Sequence, residues 1–204
     1  MPASTRVAAI VLAAGASSRM GRSKLTLPYR GTTLLRLAVD RAVAVSDLLP
    51  IVVTGYDDLL VREHLVEYTN TAQLVHNPDW KAGMGGSIAM GVTAATADPT
   101  PMVYLITLAD QPGADEALLW QLLNKHAEHP GDLIAVAYPE GPGVPACFPA
   151  TYRDELVNQD GQGGARKLLR SGRYPVRTVA PPAPLADVDT PEDYHRLTGR
   201  ILRP

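Results

Sequence analysis

The sequence predicts a three-layer α/β fold built on a mostly parallel sheet. Three observations carry this. Short runs of aliphatic and β-branched residues alternate with longer segments whose apolar residues recur at helical spacing. The first of the short runs, 7–12, is apolar throughout, as a buried strand is. The chain has 204 residues, 46% hydrophobic and 20% charged, which suits one domain with a sizeable core.

The elements follow in order. Residues 7–12 read as a first buried strand; 7–16 behind Arg6 could also pass for a short secretory signal, but the basic loop that continues from the run favours the strand. A helix begins near 34, with Thr32 or Thr33 as N-cap. Residues 51–54 form a second strand ended by Gly55, and Asp57 or Asp58 caps a helix running to Tyr68. Residues 73–76 are a third strand, and 84–97 a helix rich in small residues. Residues 102–108 are the clearest strand, with Asp110 just past its end. A helix over 114–129 leads to a strand over 132–138. Residues 140–145 read as a turn cluster, 151–157 and 165–171 as short helices, and 174–179 as a strand. Thr190 caps a last helix with Pro191 at its first position. His126 and His129 are expected in a solvated helix end, and Trp80, Trp120 and Cys147 in packing.

The formal net charge of -2 gives no global electrostatic case for nucleic acid or an acidic membrane as partner. No apolar run approaches the length of a membrane span. One cysteine excludes an internal disulfide framework and fits a reducing compartment, so the expected location is the cytoplasm.

In a parallel sheet, ligands bind beyond the carboxyl ends of the strands. The loop after the first run, Gly15-Ala16-Ser17-Ser18-Arg19-Met20-Gly21-Arg22-Ser23-Lys24, falls there. It is small-residued and basic, suited to bringing backbone N–H groups close to an anion. Its spacing is not that of a P-loop: five residues separate Gly15 from Gly21, and Lys24 lies three beyond Gly21. Nor is it a dinucleotide fingerprint, because Ser17 stands where a glycine is needed. Asp110 reaches the same sheet edge, as do Thr54 and Gly55. Magnesium binds through one or two carboxylates plus substrate phosphates, and Asp187 and Asp189 offer a second acid. The residues thus point to a nucleotide-phosphate site with a metal.

Leu12-Ala13-Ala14-Gly15-x-Ser17-x-Arg19-Met20-Gly21-x-x-Lys24 resembles the signature of the MobA-like NTP transferases, the nucleotidyltransferases related to molybdenum cofactor biosynthesis. Asn77-Pro78-x-Trp80-x-x-Gly83-Met84-x-x-Ser87-Ile88 resembles that family's second motif, and Leu108-Ala109-Asp110-Gln111-Pro112 its metal motif. Gly143-x-Pro145-x-x-Phe148, Gly164-Ala165-Arg166-x-Leu168-Leu169 and Asp187-Val188-Asp189-Thr190-Pro191-Glu192-Asp193-Tyr194 follow in the family's order. The family often carries an acid where this chain has Gln162, and Ala146-Cys147 is an unusual lead into Phe148. Within the family, Ala14 is similar to the cytidylyl-transferring branch, whereas guanylyl-transferring relatives tend to have glycine there.

The resemblance implies a three-layer α/β/α Rossmann-like nucleotidyltransferase fold with a mostly parallel mixed sheet. It implies a single domain, with a nucleotide-binding part over about 1–112 and an acceptor-binding part over about 113–204. The implied reaction moves CMP from CTP to the phosphate of molybdopterin with Mg²⁺ as cofactor, releasing pyrophosphate; a molybdoenzyme is the implied recipient of the product. The implied catalytic residues are Arg19, Lys24 and Asp110, with Asp110 and Asp189 on the metal. Nucleotide would lie against Leu12, Ala13, Ala14, Gly15, Ser17, Arg19, Lys24, Thr54, Gly55, Asn77, Gly86 and Ser87. The acceptor would meet Gln111, Pro145, Phe148 and Arg166. Guanylyl transfer, transfer to another phosphate acceptor, a non-catalytic binder and a nicotinamide-dependent pigment reductase are the alternatives. The four charged residues held together speak against the binder, and the missing dinucleotide fingerprint against the reductase.

Overall fold

A computed structural model describes residues 6–95, 101–158, 163–200 and 202. Its centre is β1 (Val7–Ala13), buried along its whole length. Alternate residues serve opposite faces, as strand geometry requires. Ala8, Ile10 and Leu12 enter one core cluster, while Ala9, Val11 and Ala13 enter another. A two-strand ribbon, β2 (Pro28–Tyr29) with β3 (Thr32–Thr33), precedes α1 (Leu34–Val45). Thr33 is the N-cap of α1, its Oγ1 accepting from the Arg36 N–H.

β4 (Ile51–Thr54), α2 (Asp58–His64), β5 (Gln73–His76) and α3 (Met84–Ala94) follow. β6 (Val103–Leu108), α4 (Glu116–Glu128) and β7 (Leu133–Tyr138) come next. The helix expected to reach Tyr68 ends at His64, and a separate single turn covers Val66–Tyr68. The chain closes with β8 (Gly141–Pro149), α5 (Arg153–Val157), α6 (Gly164–Leu169), β9 (Val176–Val179) and α7 (Pro191–Thr198).

The seven-stranded sheet has the order β5-β4-β1-β6-β8-β7-β9. Every pairing is parallel except those of β8, which runs antiparallel to both β6 and β7. Helices α1, α2 and α4 pack on one face and α3, α5 and α6 on the other. The small residues of α3 let it lie close to the sheet. A Cβ on Gly91 would stand 2.6 Å from Ile10 Cγ2 and 3.0 Å from Val53 Cγ2.

Three expectations change here. Residues 141–145 are strand, not turn; their prolines are accommodated because Val144 and Pro145 fall where the β7–β8 register shifts. His126 is 3% exposed rather than solvated, and burial lowers its pKa, keeping it neutral. Trp120 is exposed, its indole N–H donating to Glu116. No helix among the described residues is long and apolar enough to cross a membrane.

After β1 the chain moves to β4 and β5 on one side, then returns to β6 on the other. The direction reverses beside β1, which opens a crevice outside the carboxyl ends of β1 and β6.

Candidate active site

The loop leaving β1 is shaped by a few local bonds. Ser17 sits in the left-handed region at φ 50°, and its Oγ accepts from the Lys24 N–H at 3.1 Å. A single turn over Ser18–Met20 ends at Gly21, φ 68°. Met20 is buried with Val188 and Tyr194, which pins the loop and turns Arg19 outward. Below it the backbones touch: the Tyr56 N–H donates to the Ala14 carbonyl at 3.2 Å. A Cβ on Gly55 would lie 2.6 Å from that same carbonyl and 2.8 Å from Trp80 Cβ. Gly55 is therefore required by close approach.

The end of β6 brings in Asp110, and the strap before α7 brings in Asp189. The Val188 N–H donates to the Asp110 carbonyl at 2.9 Å, tying the strap to the strand end. Asp193 then accepts from the N–H groups of Asp189 (3.2 Å) and Thr190 (2.8 Å). The capping box of α7 thus fixes the backbone that carries Asp189.

Lys24 is the centre of the site. Its Nζ donates to Asp110 Oδ2 at 2.5 Å and to Asp189 Oδ1 at 2.6 Å. Arg19 meets the other oxygen of Asp189 at 2.7 Å. The Lys24 side chain is 9% exposed and that of Arg19 66%. Burial pushes the Lys24 ammonium down, but the Asp110 and Asp189 carboxylates outweigh it and hold its pKa above the ordinary lysine value. Asp110 is pushed up by burial and by Asp187 and Asp189, with Lys24 opposing. The cluster is built to gain from positive charge.

The cluster borders one of two chambers that share a wall. One, about 340 Å³, is lined by Leu12, Ala14, Gly15, Trp80, Gly83, Ser87, Asp110 and Asp189. The other, about 400 Å³, is lined by Gln111, Tyr138, Glu140, Val144, Ala165, Arg166 and Leu185. Met84, Leu108 and Asp187 belong to both walls. In the second chamber the Gln111 amide donates to Asp187 (2.8 Å) and to the Tyr138 hydroxyl (3.1 Å), which itself donates to the Val144 carbonyl (2.6 Å). Burial first, then charge, pushes the Tyr138 pKa up to about 12, so it stays protonated.

Most of the expected residues converge here, but not all by the same route. Leu12, Ala14, Gly15, Ser87, Asp110 and Asp189 line the first chamber, with Lys24 and Arg19 joined to it through their carboxylates. Ala13 lies in the core beneath. Asn77 is buried and acts through Ser87: its Nδ2 donates to Ser87 Oγ at 3.0 Å, while its Oδ1 accepts from the Asp79 N–H. Gly86 lies beside that amide, where a Cβ would make an ordinary contact at 3.6 Å from Asn77 Nδ2. Gln111 and Arg166 line the second chamber.

Four residues stand elsewhere than expected. Thr54 is fully buried, and its hydroxyl donates to the Asp58 carboxylate rather than facing the chamber. Gly55 supports Ala14 and Trp80 from below. Phe148 is fully buried on β8 opposite Tyr104, because an inward position of an interior strand faces the core. Pro145 is buried beside Val144, and Val144 is the one on the wall. Residues 160–162, including Gln162, lie outside the described residues. Trp80, expected in packing, Asp187, expected only as an alternative acid, and Tyr138, not singled out by the sequence, are wall residues. Trp80 could have been found from its place in the second motif, and Tyr138 from its place at a strand's carboxyl end.

Comparison with known proteins adds a family likeness. A family model described as the MobA-like NTP transferase domain matches residues 9–178. The molybdenum cofactor cytidylyltransferase of Escherichia coli K12 is 28% identical over 188 residues, covering 91% of this chain and 92% of that protein. The purine catabolism protein PucB of Bacillus subtilis is 29% identical over 91% of this chain and 92% of its own length. The molybdenum cofactor guanylyltransferase of Xanthomonas euvesicatoria is 30% identical over 92% of each. Among solved structures, Rv0371c of Mycobacterium tuberculosis superposes with a TM-score of 0.82 at 32% identity, over 97% of this chain and 100% of that one. A complex of the same protein with manganese superposes at 0.78.

Proposed function

The chain belongs to the MobA-like NTP transferase family and is a nucleotidyltransferase, and from that premise we propose that it transfers CMP from CTP to the phosphate of molybdopterin. The observation that carries the proposal is the charged cluster of Lys24, Arg19, Asp110 and Asp189 on the first chamber, whose wall at Leu108 and Asp187 is shared with the second. In this reading the donor phosphates lie at the cluster and the acceptor phosphate reaches them past the shared wall. An oxygen of the acceptor phosphate attacks the α-phosphorus of CTP, the bond to the bridging α–β oxygen breaks, and pyrophosphate leaves with that electron pair. The nucleophile is already an anion, so catalysis rests on positioning and charge.

Nucleotide occupies the first chamber in this reading. Backbone N–H groups of residues 14–18 face the β- and γ-phosphates. Arg19 neutralises the departing pyrophosphate, its fork matching phosphate oxygens. Lys24 meets the α-phosphate as charge develops there. The base lies toward Trp80 and Ser87, with Asn77 orienting Ser87. Ala14 on the wall is what favours cytosine, by the family resemblance, and the likeness to the cytidylyltransferase agrees with it. Guanylyl transfer is the second reading, favoured by the likeness to the guanylyltransferase. The acceptor takes the second chamber against Gln111 and Arg166. One domain is proposed, with a nucleotide part over about 1–112 and an acceptor part over about 113–204, crossed by Asp189. We also place the protein in the cytoplasm, with a molybdoenzyme as recipient of the product.

Magnesium fits the donor set. The Lys24 ammonium shows that Asp110 and Asp189 direct one oxygen each at a common cation. Among the described residues no group of three or more His, Cys, Asp or Glu could hold a metal. Two carboxylates completed by substrate phosphates are the usual magnesium arrangement. Bound there, the ion would neutralise phosphate oxygens during transfer.

Thermal melts with each nucleotide plus Mg²⁺ test the reading. A ligand at 100 times its Kd adds about 2.7 kcal/mol, and CTP is expected to give the largest shift. A shift with GTP and none with CTP would reverse the choice of base, and a shift with NADPH alone would remove the class.

A further inference from the structure

We propose that Lys24 couples metal binding to nucleotide binding, by holding the place between Asp110 and Asp189 until phosphate draws it away. The proposal rests on the assignment of those two carboxylates to the metal.

The geometry is specific. One ammonium lies 2.5 Å from Asp110 Oδ2 and 2.6 Å from Asp189 Oδ1, with its side chain 9% exposed. A magnesium ion held by the same carboxylates would need oxygen lone pairs now taken by the ammonium. The two cations compete for the same lone pairs and repel one another across a short, poorly solvated distance. They do not share the position.

Lys24 nonetheless has somewhere to go. Its backbone is held by Ser17, and its four-carbon stem has the rotatable bonds to swing once phosphate competes for the ammonium. The first chamber opens beside Asp110 and Asp189, where the α-phosphate lies in the proposed reading. Phosphate offers the ammonium a new anion and offers the metal the oxygens that two carboxylates lack. Free metal therefore meets carboxylates already paired, whereas metal arriving with nucleotide meets them released. By linkage the coupling is reciprocal: metal also favours the phosphate-bound position of Lys24. Arg19 takes no such part, because it contacts only the outer oxygen of Asp189 and is 66% exposed.

The test is Mn²⁺ binding to the full chain without nucleotide, by titration calorimetry or by the free-ion electron paramagnetic resonance signal. Lys24→Met is expected to bind Mn²⁺ at least tenfold more tightly than wild type, and Lys24→Arg to stay as weak as wild type. Arg19→Gln, which removes the same unit charge from beside the pair, is expected to gain less than threefold. Adding Asp110→Asn to Lys24→Met is expected to abolish the gain. Should Lys24→Met not fold, Lys24→Gln takes its place. If Lys24→Met binds no more tightly than wild type while both lose binding with Asp110→Asn, the coupling is wrong and the metal assignment stands. An equal gain from Arg19→Gln would also overturn the coupling, as a general charge effect. Tight binding that survives Asp110→Asn would overturn the metal assignment itself, and the coupling with it.

Discussion

At the scale of single residues, Lys24 is nearly enclosed between Asp110 and Asp189, so its positive charge is assured before substrate arrives. In the proposed reaction that charge, carried to the α-phosphate, lowers a barrier in which negative charge gathers at phosphorus. Lys24→Ala is expected to cost on the order of 2–4 kcal/mol in kcat/KM, and an unchanged turnover number would remove it from the mechanism. Asp110→Asn is expected to abolish magnesium-dependent turnover while CTP still binds, which titration calorimetry can show. Full activity in that variant would refute the metal assignment. Cys147, by contrast, is fully buried and its thiol is pushed up by burial alone, which fits the packing role read from the sequence.

At the scale of elements, α7 and α3 do work that is not chemical. The cap of α7 is a reciprocal pair: Asp193 accepts from Thr190, and Thr190 accepts from the Asp193 N–H at 3.1 Å. Thr190→Ala is expected to cost about 1 kcal/mol in a urea melt. The bonds from Thr190, set against burial and joined by those from Asp189 and Arg196, hold the Asp193 carboxyl below its ordinary value. The stabilisation is therefore present above the ordinary aspartate pKa and is lost as pH falls through the folded one. The stability difference between wild type and Asp193→Asn should shrink below about pH 4. In α3 the close approach at Gly91 leaves no room for a methyl group. Gly91→Ala is expected to destabilise by about 1–3 kcal/mol through overpacking, and an unchanged melt would contradict it.

Much of this is legible in the sequence, and for a physical reason. Strand runs such as 7–12 and 102–108 are apolar on both faces, and ligand loops follow their carboxyl ends, so topology alone brings Lys24 near Asp110. What stayed hidden depends on context. Three prolines within 141–149 look like turns until a register shift between neighbouring strands makes room for them. Phe148 sits in a motif, yet its strand position sends it to the core. Thr54 lies at the correct sheet edge, yet a nearby acid, Asp58, claims its hydroxyl. Trp80 looks like any packing aromatic until the chamber beside it is seen. Side-chain direction at an element's end is a tertiary fact, and local pattern does not carry it.

At the scale of the whole molecule, the site is closed by contacts between distant parts of the chain. Lys24 reaches Asp110 across 86 positions and Asp189 across 165. Contacts at such separations form late in folding, because the chain between them must be ordered first. A chain whose sheet has formed but whose strap at 185–190 is undocked has strands, a core and no catalytic centre. Regained turnover should therefore trail regained far-ultraviolet circular dichroism when the protein is diluted from denaturant, and coincident phases would count against this. Activity would then serve as a clock for the last step of folding, read out by the one lysine that requires all three segments at once.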